Sequence, residues 1–573
     1  MKIQGKHQIS SVMRLSVVYM AIGFTVVTLL WRIIDLQFVN KDFLQKQANA
    51  RHLRVLPISA HRGKITDRNG EPIAVSTPVN SVWVNPKLFN ENRVQWIELT
   101  RLLNIKIKKL EKSVTSRLHK EFIYVKRRIS PELSKKVLAL KIPGLFLQRE
   151  YRRYYPMSEV ASHVLGFTNV DDQGQEGIEL AYDTWLKGTP GKKRVMKDRL
   201  GHIIKDIELI KAPAPGKDIE LSIDGRLQYL AYRELKRAVY KYKAKSGSAV
   251  ILDINTGEVL AMVNQPSFNP NKRSKNKSGR YRNRAVTDVF EPGSTVKAFT
   301  IAAAIESGRF TSNTIIDTTP GYFMVAGNTV RDVRNYGLIK VSTIITKSSN
   351  IGASKLALAT KPELLWSVFS KVGFGIDSES GFPGEATGLL NHYSKWKKID
   401  NATLSFGYGL SVTALQLAHS YTVFSSNGEI PSVTFLKRKE NEIIAKNKVL
   451  HKKTVSQILK MLESVVSKEG TGINASVVGY RVAGKTGTVK KASIGGYSDD
   501  NYIASFVGLA PVSNPKLVMA VVINEPAGED YYGGKVAAPV FSRVMAGALR
   551  ILNVPLDNIS KKNLEIAKLG EHK

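Results

Sequence analysis

Hydrophobic residues are distributed differently in successive parts of the chain. Residues 15–34 are almost continuously apolar, close to the roughly 20 residues that a helix needs to cross a bilayer. Residues 35–218 are charged with short apolar stretches, whereas 219–555 combine long apolar runs with helical spacing. Residues 556–573 are polar and basic. We therefore predict a tail at 1–14, a membrane helix, a mostly β or mixed domain, a larger compact domain and a flexible polar tail.

The region 219–555 has the clearest pattern. Asp224 precedes apolar residues at helical spacing and is a favourable N-cap. Two apolar runs meet at the Asn-Thr-Gly sequence 255–257, which predicts a hairpin, and a mostly helical middle covers 294–425 and 453–467. Three further apolar runs and a helix-like segment lie at 480–489, 502–511, 516–524 and 538–552. Strands at both ends with helices between them predict an α+β fold, an antiparallel sheet covered by helices on both faces.

The region before it is less regular. The pair Asn69-Gly70 predicts a hairpin, and helix-like stretches occur near 94–112 and 131–140. The Pro- and Ala-rich segment 211–218 fits no packed element, and it marks the predicted end of this domain.

The apolar N-terminal segment resembles an uncleaved anchor more than a signal peptide. Residues 15–31 carry no charge, form a longer run than the apolar core of a typical signal peptide, and are followed by no small-x-small cleavage site. Trp31 lies where an interfacial aromatic residue would. Because basic residues flank the run on both sides, the charge pattern leaves its orientation open.

The composition excludes several classes of function. The chain has no cysteine, which removes disulfide frameworks, thiolate zinc sites and cysteine nucleophiles. Lys and Arg number 85 against 48 Asp and Glu, a net charge of +37 that would attract polyanions. The basic residues are spread along the chain, with no motif typical of nucleic-acid binding, so we predict a basic solvated surface and no nucleic-acid partner.

Ser294 is the candidate nucleophile, in a Ser-x-x-Lys motif with Lys297. Ser294 opens an apolar, alanine-rich segment, and a serine at a helix start lies beside free backbone N–H groups. Lys297 lies one turn further on the same face, and its apolar surroundings should lower the pKa of its amine toward the range of a general base. The alternative is an N-cap serine beside a surface lysine.

The same motif occurs three more times, and the context of each differs. Two copies lie in lysine-rich or polar stretches and one in a Pro-flanked turn. These copies are Ser274/Lys277, Ser394/Lys397 and Ser513/Lys516. Context therefore favours Ser294.

A second motif, Ser-Ser-Asn, places Ser348 and Asn350 two residues apart. If both face the same way from a turn, the hydroxyl could relay a proton and the amide could hold a substrate carbonyl. The alternative for this motif is a further helix N-cap.

A third motif, Lys485-Thr486-Gly487-Thr488, lies in a predicted strand. The ammonium group and the alternate hydroxyl groups suit the capture of a carboxylate, and Gly487 would let the substrate backbone approach closely. The alternative is a hairpin strand with a surface lysine.

With these three motifs in this order, the chain resembles the class B penicillin-binding proteins, and among them the septal peptidoglycan D,D-transpeptidases of Gram-negative bacteria. The resemblance covers almost the whole chain. Blocks that carry it lie at 62–70, 152–156, 174–179, 282–297, 346–358, 406–418, 483–491 and 531–541.

The resemblance implies the reaction. Ser294 would attack the carbonyl between the two terminal D-alanines of a stem peptide, and an amine of a second stem peptide would resolve the acyl-enzyme. Lys297 would accept the serine proton, Ser348 would pass a proton to the leaving amine, and Asn350 would position the donor peptide. The terminal carboxylate would be held by Lys485, Thr486 and Thr488. The backbone N–H groups of Ser294 and Thr488 would form the oxyanion hole. No metal or cofactor would be needed, and β-lactams would acylate Ser294.

The resemblance also implies a location and partners. The short N-terminus would lie in the cytoplasm and the catalytic domain in the periplasm, held by a single pass through the bacterial inner membrane. Residues 35–218 would be a non-catalytic pedestal, and 219–555 the transpeptidase domain. Partners would include divisome membrane proteins, among them a septal glycan polymerase.

One position departs from the general motif, and two other functions stay open. The middle residue of the second motif is Ser349, where the general form of the motif has an aspartate, although members of the family vary at this position. A D,D-carboxypeptidase or β-lactamase would use the same acylation residues with water as the acceptor. A non-catalytic β-lactam-binding scaffold would keep the fold without the reaction.

Overall fold

The computed structural model describes residues 5–198, 203–273, 279–425, 427–493 and 496–558. The helices are α1 (Gly5–Ile34), α2 (Lys41–His52), α3 (Pro86–Asn90), α4 (Trp96–Leu103), α5 (Ile107–Thr115), α6 (Pro131–Ala139), α7 (Ser162–Leu165), α8 (Gly177–Ala181), α9 (Asp183–Leu186), α10 (Gly225–Lys241), α11 (Arg284–Thr287), α12 (Lys297–Glu306), α13 (Val341–Lys347), α14 (Asn350–Ala359), α15 (Pro362–Lys371), α16 (Lys398–Leu404), α17 (Ala414–Ser420), α18 (Lys452–Val465), α19 (Gly533–Val536) and α20 (Ala538–Ile551).

The strands are β1 (Leu53–Ile58), β2 (Ile65–Thr66), β3 (Pro72–Val84), β4 (Ile123–Ile129), β5 (Leu145–Tyr154), β6 (Phe167–Thr168), β7 (Gly174–Glu176), β8 (Gly191–Lys197), β9 (Ile203–Lys211), β10 (Ile219–Glu220), β11 (Ser246–Asp253), β12 (Val259–Gln265), β13 (Ile315–Asp317), β14 (Tyr322–Val325), β15 (Asn328–Arg331), β16 (Leu338–Lys340), β17 (Glu429–Pro431), β18 (Lys446–Lys448), β19 (Ala483–Ser493), β20 (Gly496–Ala510) and β21 (Leu517–Asn524).

The helix α1 is the candidate membrane span. Residues Val12–Val39 form the one stretch of the described chain that is long and apolar enough to cross a membrane, and none of its most apolar part is buried. This stretch contains the whole of the predicted segment 15–34, and it ends in a π-helical turn, Asp35–Val39. Its length and composition fit a single-pass membrane anchor.

The chain divides into two compact units that are not contiguous in sequence. The first consists of the chain up to His61, of Pro78–Tyr151 and of Gly188–Pro215. The second consists of Arg62–Thr77, Arg152–Lys187 and the chain from Gly216 onward. The predicted boundary at 218 lies near the last of these divisions. Two stretches of the predicted pedestal nevertheless pack with the second unit, which a reading of consecutive residues could not anticipate.

The first unit is a mixed α/β domain. Strands β1, β8 and β9 form an antiparallel sheet in that order, and Val82, Phe89 and Trp96 belong to a separate apolar core. The helix expected near 94–112 is two helices, α4 and α5. Asn104 adopts a left-handed conformation with φ of 48°, which ends α4.

Buried charges join the two early stretches of the second unit. Glu179 is fully buried, and its carboxylate accepts from Arg62 Nε at 2.8 Å and from Arg153 Nε at 2.6 Å. A buried charge is tolerated only when it is paired and hydrogen-bonded. The network therefore explains why three of the sequence blocks behind the resemblance pack together in the second unit.

The sheet of the second unit has the order β12-β11-β21-β20-β19, and all its pairs are antiparallel. Its strands are covered on both faces: Ala249 and Ile251 pack against α10 and α20, whereas Val250 and Leu252 face the core that contains α12, α17 and α18. The predicted antiparallel sheet with helices on both faces is confirmed. The Asp224 cap and the hairpin at 255–257 are confirmed as well.

Candidate active site

Ser294 lies in a 3-10 turn, Gly293–Val296, which leads directly into α12. Thr295 Oγ1 donates to Pro292 O at 2.8 Å and fixes the start of this turn. Gly293 has a φ of 57°, and a Cβ atom there would come within 2.4 Å of Val489 Cγ1. Only glycine therefore allows the turn to pack this tightly against strand β19, and Ser294, half-buried, lies at the helix start as expected.

Lys297 is fully buried at the first position of α12. Its Nζ donates to Ser348 O at 2.6 Å, to Asn350 Oδ1 at 2.7 Å and to Ser348 Oγ at 3.2 Å. Burial, and secondly the nearby charge of Lys485, lower the pKa of this amine well below its usual value, whereas Asp332 acts to raise it. The desolvated lysine expected from the apolar helix is confirmed.

The second motif joins two helices. Ser348 follows α13 in a left-handed conformation with φ of 62°, an uncommon conformation for a residue other than glycine that costs about 1 kcal/mol. Ser349 is buried and caps α14, since its Oγ accepts from Gly352 N at 2.9 Å. The structure thus combines both interpretations of the motif: Ser349 is the N-cap, while Ser348 and Asn350 contact Lys297.

The third motif lies on strand β19, as predicted. Lys485 is fully buried, and its Nζ donates to Ser348 Oγ at 3.0 Å and to Thr486 O at 3.2 Å. Burial lowers the pKa of Lys485 to about 7. Thr486 Oγ1 is 2.8 Å from Thr471 Oγ1, and Thr488 Oγ1 accepts from Gly533 N at 2.9 Å.

Gly487 packs closely against two segments that are distant along the chain. A Cβ atom there would lie 2.3 Å from Ser505 Oγ and 2.9 Å from Pro292 O. A small residue is therefore needed here for packing against the turn before Ser294, and the expected close approach of a substrate backbone stays a prediction. The sequence could not show this, because both neighbours are distant along the chain.

The hydroxyl of Ser348 is the point where the three motifs meet. It accepts hydrogen bonds from both buried lysines, one from α12 and one from β19. Within the described residues, no hydrogen bond joins Ser294 Oγ to these groups. Chemically, the site combines a half-buried serine at a helix start, two amines of lowered pKa and a hydroxyl between them.

Sequence reasoning missed Asp332, which follows β15. Its carboxylate accepts from Ser349 Oγ and Asn350 N, both at 2.5 Å, and from Ile351 N at 3.1 Å. It thus holds the first turn of α14, where backbone N–H groups lack helical partners. An isolated aspartate in a polar stretch carries no periodic or motif signal.

A second residue that the sequence did not single out is Glu291, three residues before Ser294. Its carboxylate accepts from Gly409 N at 2.8 Å and from Tyr497 OH at 3.0 Å. Burial raises the pKa of Glu291. The residue ties the segment before Ser294 to two neighbouring segments.

The other Ser-x-x-Lys pairs do not form such a site. Ser394 and Lys397 are exposed, as is Ser513. The pair Ser274/Lys277 lies outside the described residues.

Two protein-family models match the chain. Residues 247–546 match the penicillin binding protein transpeptidase domain, and residues 57–221 match the penicillin-binding protein dimerisation domain. Both matches agree with the order of domains expected from the sequence.

Named relatives match over nearly the whole chain. The chain is 42% identical over 550 residues to the peptidoglycan D,D-transpeptidase FtsI of Escherichia coli (strain K12), an alignment that covers 95% of this chain and 93% of the relative. It is 41% identical over 529 residues to the probable peptidoglycan D,D-transpeptidase PbpC of Pseudomonas aeruginosa, with 92% and 93% covered.

Solved structures show the same fold. The transpeptidase domain of Burkholderia pseudomallei penicillin-binding protein 3 is 44% identical with a TM-score of 0.55, and the match covers 59% of this chain and 98% of that one. Penicillin-binding protein 3 of Mycobacterium tuberculosis, in complex with ampicillin, is 26% identical with a TM-score of 0.70 over 88% of this chain and 98% of that one.

These similarities place the chain among the penicillin-binding proteins that carry a transpeptidase domain. Because a dimerisation domain precedes that domain and the relatives match over more than 90% of this chain, the chain belongs to the class B penicillin-binding proteins. The resemblance inferred from the sequence blocks is confirmed.

Proposed function

We propose that this chain is a septal peptidoglycan D,D-transpeptidase that forms its acyl-enzyme on Ser294. The observation that carries the proposal is the convergence of Lys297 and Lys485 on the hydroxyl of Ser348, beside the helix start that holds Ser294. The named relatives support the reaction, since both are peptidoglycan D,D-transpeptidases or probable ones.

In the acylation step, Ser294 Oγ attacks the carbonyl carbon of the penultimate D-alanine. Lys297, whose lowered pKa favours the neutral amine, takes the hydroxyl proton. The backbone N–H groups of Ser294 and Thr488 stabilise the oxyanion. The peptide C–N bond then breaks, and the proton passes through Ser348 to the nitrogen of the departing D-alanine.

The donor peptide is held from both sides of the nucleophile. Asn350 Nδ2 donates to Arg331 O at 3.0 Å. This contact orients the side-chain amide of Asn350, which binds a carbonyl group of the substrate. The terminal carboxylate lies near Lys485, with hydroxyl donors from Thr486 and Thr488. A bound carboxylate favours the protonated amine of Lys485 and so raises its pKa from about 7.

In the second step, the amine of a neighbouring stem peptide attacks the ester carbonyl of the acyl-enzyme. Lys297 takes a proton from the attacking amine and passes it to Ser294 Oγ as the C–O bond to Ser294 breaks, which restores the serine hydroxyl and the neutral lysine. A β-lactam enters the same first step, and its opened ring stays attached, so the ester persists. Water as the acceptor would instead make the chain a carboxypeptidase or a β-lactamase.

We further propose that α1 anchors the chain in the bacterial inner membrane, with the catalytic domain in the periplasm. Stem peptides lie on that side of the membrane, which supports this orientation. The first unit acts as a non-catalytic pedestal, and division proteins, including a septal glycan polymerase, are its proposed partners.

The test is covalent labelling of the full chain with a fluorescent penicillin, beside Ser294→Ala and the matched control Ser394→Ala. We expect a slowly released label on the native chain and on the control variant, and none on Ser294→Ala. Rapid release would favour the hydrolase. A folded native chain that takes no label would favour the non-catalytic scaffold.

A further inference from the structure

A cavity of about 100 Å³ lies between the helix α11 and one end of the five-stranded sheet of the second unit. Its polar wall includes Ser246 and Ser248 at the start of β11, Asn524 at the end of β21, and Arg284 on α11. A water molecule takes up about 30 Å³ in the liquid, so this space, the α11 cavity, can hold a few waters or an oxyanion with a few heavy atoms.

The guanidinium group of Arg284 enters this cavity wall with a donor unused. Its Nη2 donates to Gly279 O at 3.2 Å, whereas Nη1 is buried and has no hydrogen-bond partner within the described part of the chain. The Nε atom is 3.8 Å from the carboxylate of Asp288, too far for a hydrogen bond. Burial lowers the pKa of Arg284, and the opposing effect of Asp288 is smaller. The group therefore lacks an adequate counter-charge, and a buried polar atom without a partner calls for a bound water or ion.

A second unused donor lines the same cavity. The side chain of Ser246 is buried, and its Oγ accepts from Asn524 Nδ2 at 3.1 Å. A serine hydroxyl also carries one donor, and among the described residues this O–H has no acceptor. The neighbouring Ser248, in contrast, donates to Asn264 Oδ1 at 2.7 Å. A ligand that satisfies both Ser246 and Arg284 must therefore accept hydrogen bonds.

The ion pairs around the cavity leave an excess of positive charge. The carboxylate of Asp288 is 2.9 Å from one guanidinium and 3.8 Å from another, and the carboxylate of Glu525 is shared by two ammonium groups. These four cations are Arg282, Arg284, Lys245 and Lys491. With every one of these pairs counted, two positive charges remain without a partner. The excess favours an anion over a neutral ligand.

We propose that the α11 cavity binds a small oxyanion, a phosphate or carboxylate group that accepts from Arg284 Nη1 and from Ser246 Oγ. The anion supplies the counter-charge that the guanidinium lacks, and it joins α11 to the start of β11. Among the described residues that line the cavity, none belongs to the three motifs of the active site. A bound anion therefore leaves Ser294 accessible, and the inference does not rest on the proposed function.

The experiment is isothermal titration calorimetry of the full chain in detergent micelles, near neutral pH, with inorganic phosphate and separately with acetate. Sodium chloride holds the ionic strength constant. We expect saturable binding of at least one of the two anions, and the same anion should raise the midpoint of thermal unfolding. A preference for phosphate indicates a tetrahedral group, and a preference for acetate indicates a carboxylate.

Two variants locate the site, and a third is their control. Arg284→Gln should bind the anion at least tenfold more weakly, and Ser246→Ala, which keeps the net charge, about threefold more weakly. The control Arg237→Gln makes the same change of charge as Arg284→Gln at an exposed position of α10 that does not line the cavity, and it should bind like the native chain. Circular dichroism checks that each variant folds, and Ser246→Ala decides if Arg284→Gln does not.

The proposal is overturned if neither anion binds the native chain saturably, which would mean that the cavity holds water only. It is also overturned if the folded variant Arg284→Gln, or Ser246→Ala in its place, binds as tightly as the native chain. An equal loss of affinity in Arg237→Gln would likewise overturn it, because the attraction would then come from the overall charge of the protein.

Discussion

At the scale of single residues, the chemistry depends on two buried amines. Lys297 and Lys485 are both fully buried, and each donates to the hydroxyl of Ser348. Taking an ammonium group out of water favours its neutral form, which lowers the pKa of both lysines. The proposed mechanism needs opposite states of the two: a neutral Lys297 to accept a proton and a charged Lys485 to bind a carboxylate.

This difference predicts a bell-shaped pH dependence for acylation by a β-lactam, measured as the second-order rate constant. The rate should rise as Lys297 loses its proton. It should fall as the pH rises through about 7, because Lys485 then loses the charge that attracts the carboxylate. The second-order constant reports the free enzyme, to which these pKa values belong.

The variant Lys485→Arg separates the two limbs. Arginine stays protonated over the whole range, so the falling limb near pH 7 should disappear while the rising limb remains. A falling limb that stays in place in this variant would assign it to another group.

At the scale of secondary-structure elements, the site depends on how helix α14 begins. Asp332 accepts from Ser349 Oγ and from the backbone N–H groups of Asn350 and Ile351, so it sets the position of the second motif relative to Lys297. Its negative charge also favours the protonated form of Lys297.

Replacing Asp332 by alanine should lower the acylation rate about tenfold and lower the free energy of unfolding by about 2 kcal/mol, the usual loss for hydrogen bonds to a charged group. The pH profile should shift as well, with the rising limb at lower pH, because the carboxylate no longer favours protonated Lys297. The matched control is Asp317→Ala, an exposed aspartate on β13. An unchanged pH profile would show that Asp332 has only a structural role.

The buried network around Glu179 acts at the same scale, because it joins three separate segments of the second unit. The variant Glu179→Ala leaves Arg62 and Arg153 buried without their shared carboxylate. Breaking a buried ion pair from one side costs about 3–5 kcal/mol. We expect a loss of that size in chemical denaturation, and a loss below about 1 kcal/mol would mean that the arginines find other partners.

At the scale of the whole molecule, the helix α1 carries none of the residues assigned to the candidate active site. Its most apolar part makes no buried contact. A chain without residues 1–39 should therefore remain soluble without detergent and take a fluorescent penicillin at a rate within about twofold of the full chain. A rate that drops tenfold would instead show that the anchor supports the fold or the site.

The sequence by itself determined what depends on local order. The apolar anchor, the capped helix α10, the hairpin at 255–257 and the strand of the third motif follow from periodicity and turn residues, because those signals act within a few residues. The apolar run after Ser294 likewise determined that Lys297 would be buried.

Only the tertiary structure decided what depends on residues far apart in the chain. It brought Lys297 and Lys485 to one hydroxyl, assigned the cap to Ser349, and filled the space beside Gly487 with Ser505 and Pro292. It also placed 62–77 and 152–187 in the second unit. Such contacts join segments that are far apart in the sequence, and the local pattern of one segment gives no information about the other. The free energy that favours these contacts comes from packing and pairing across the fold.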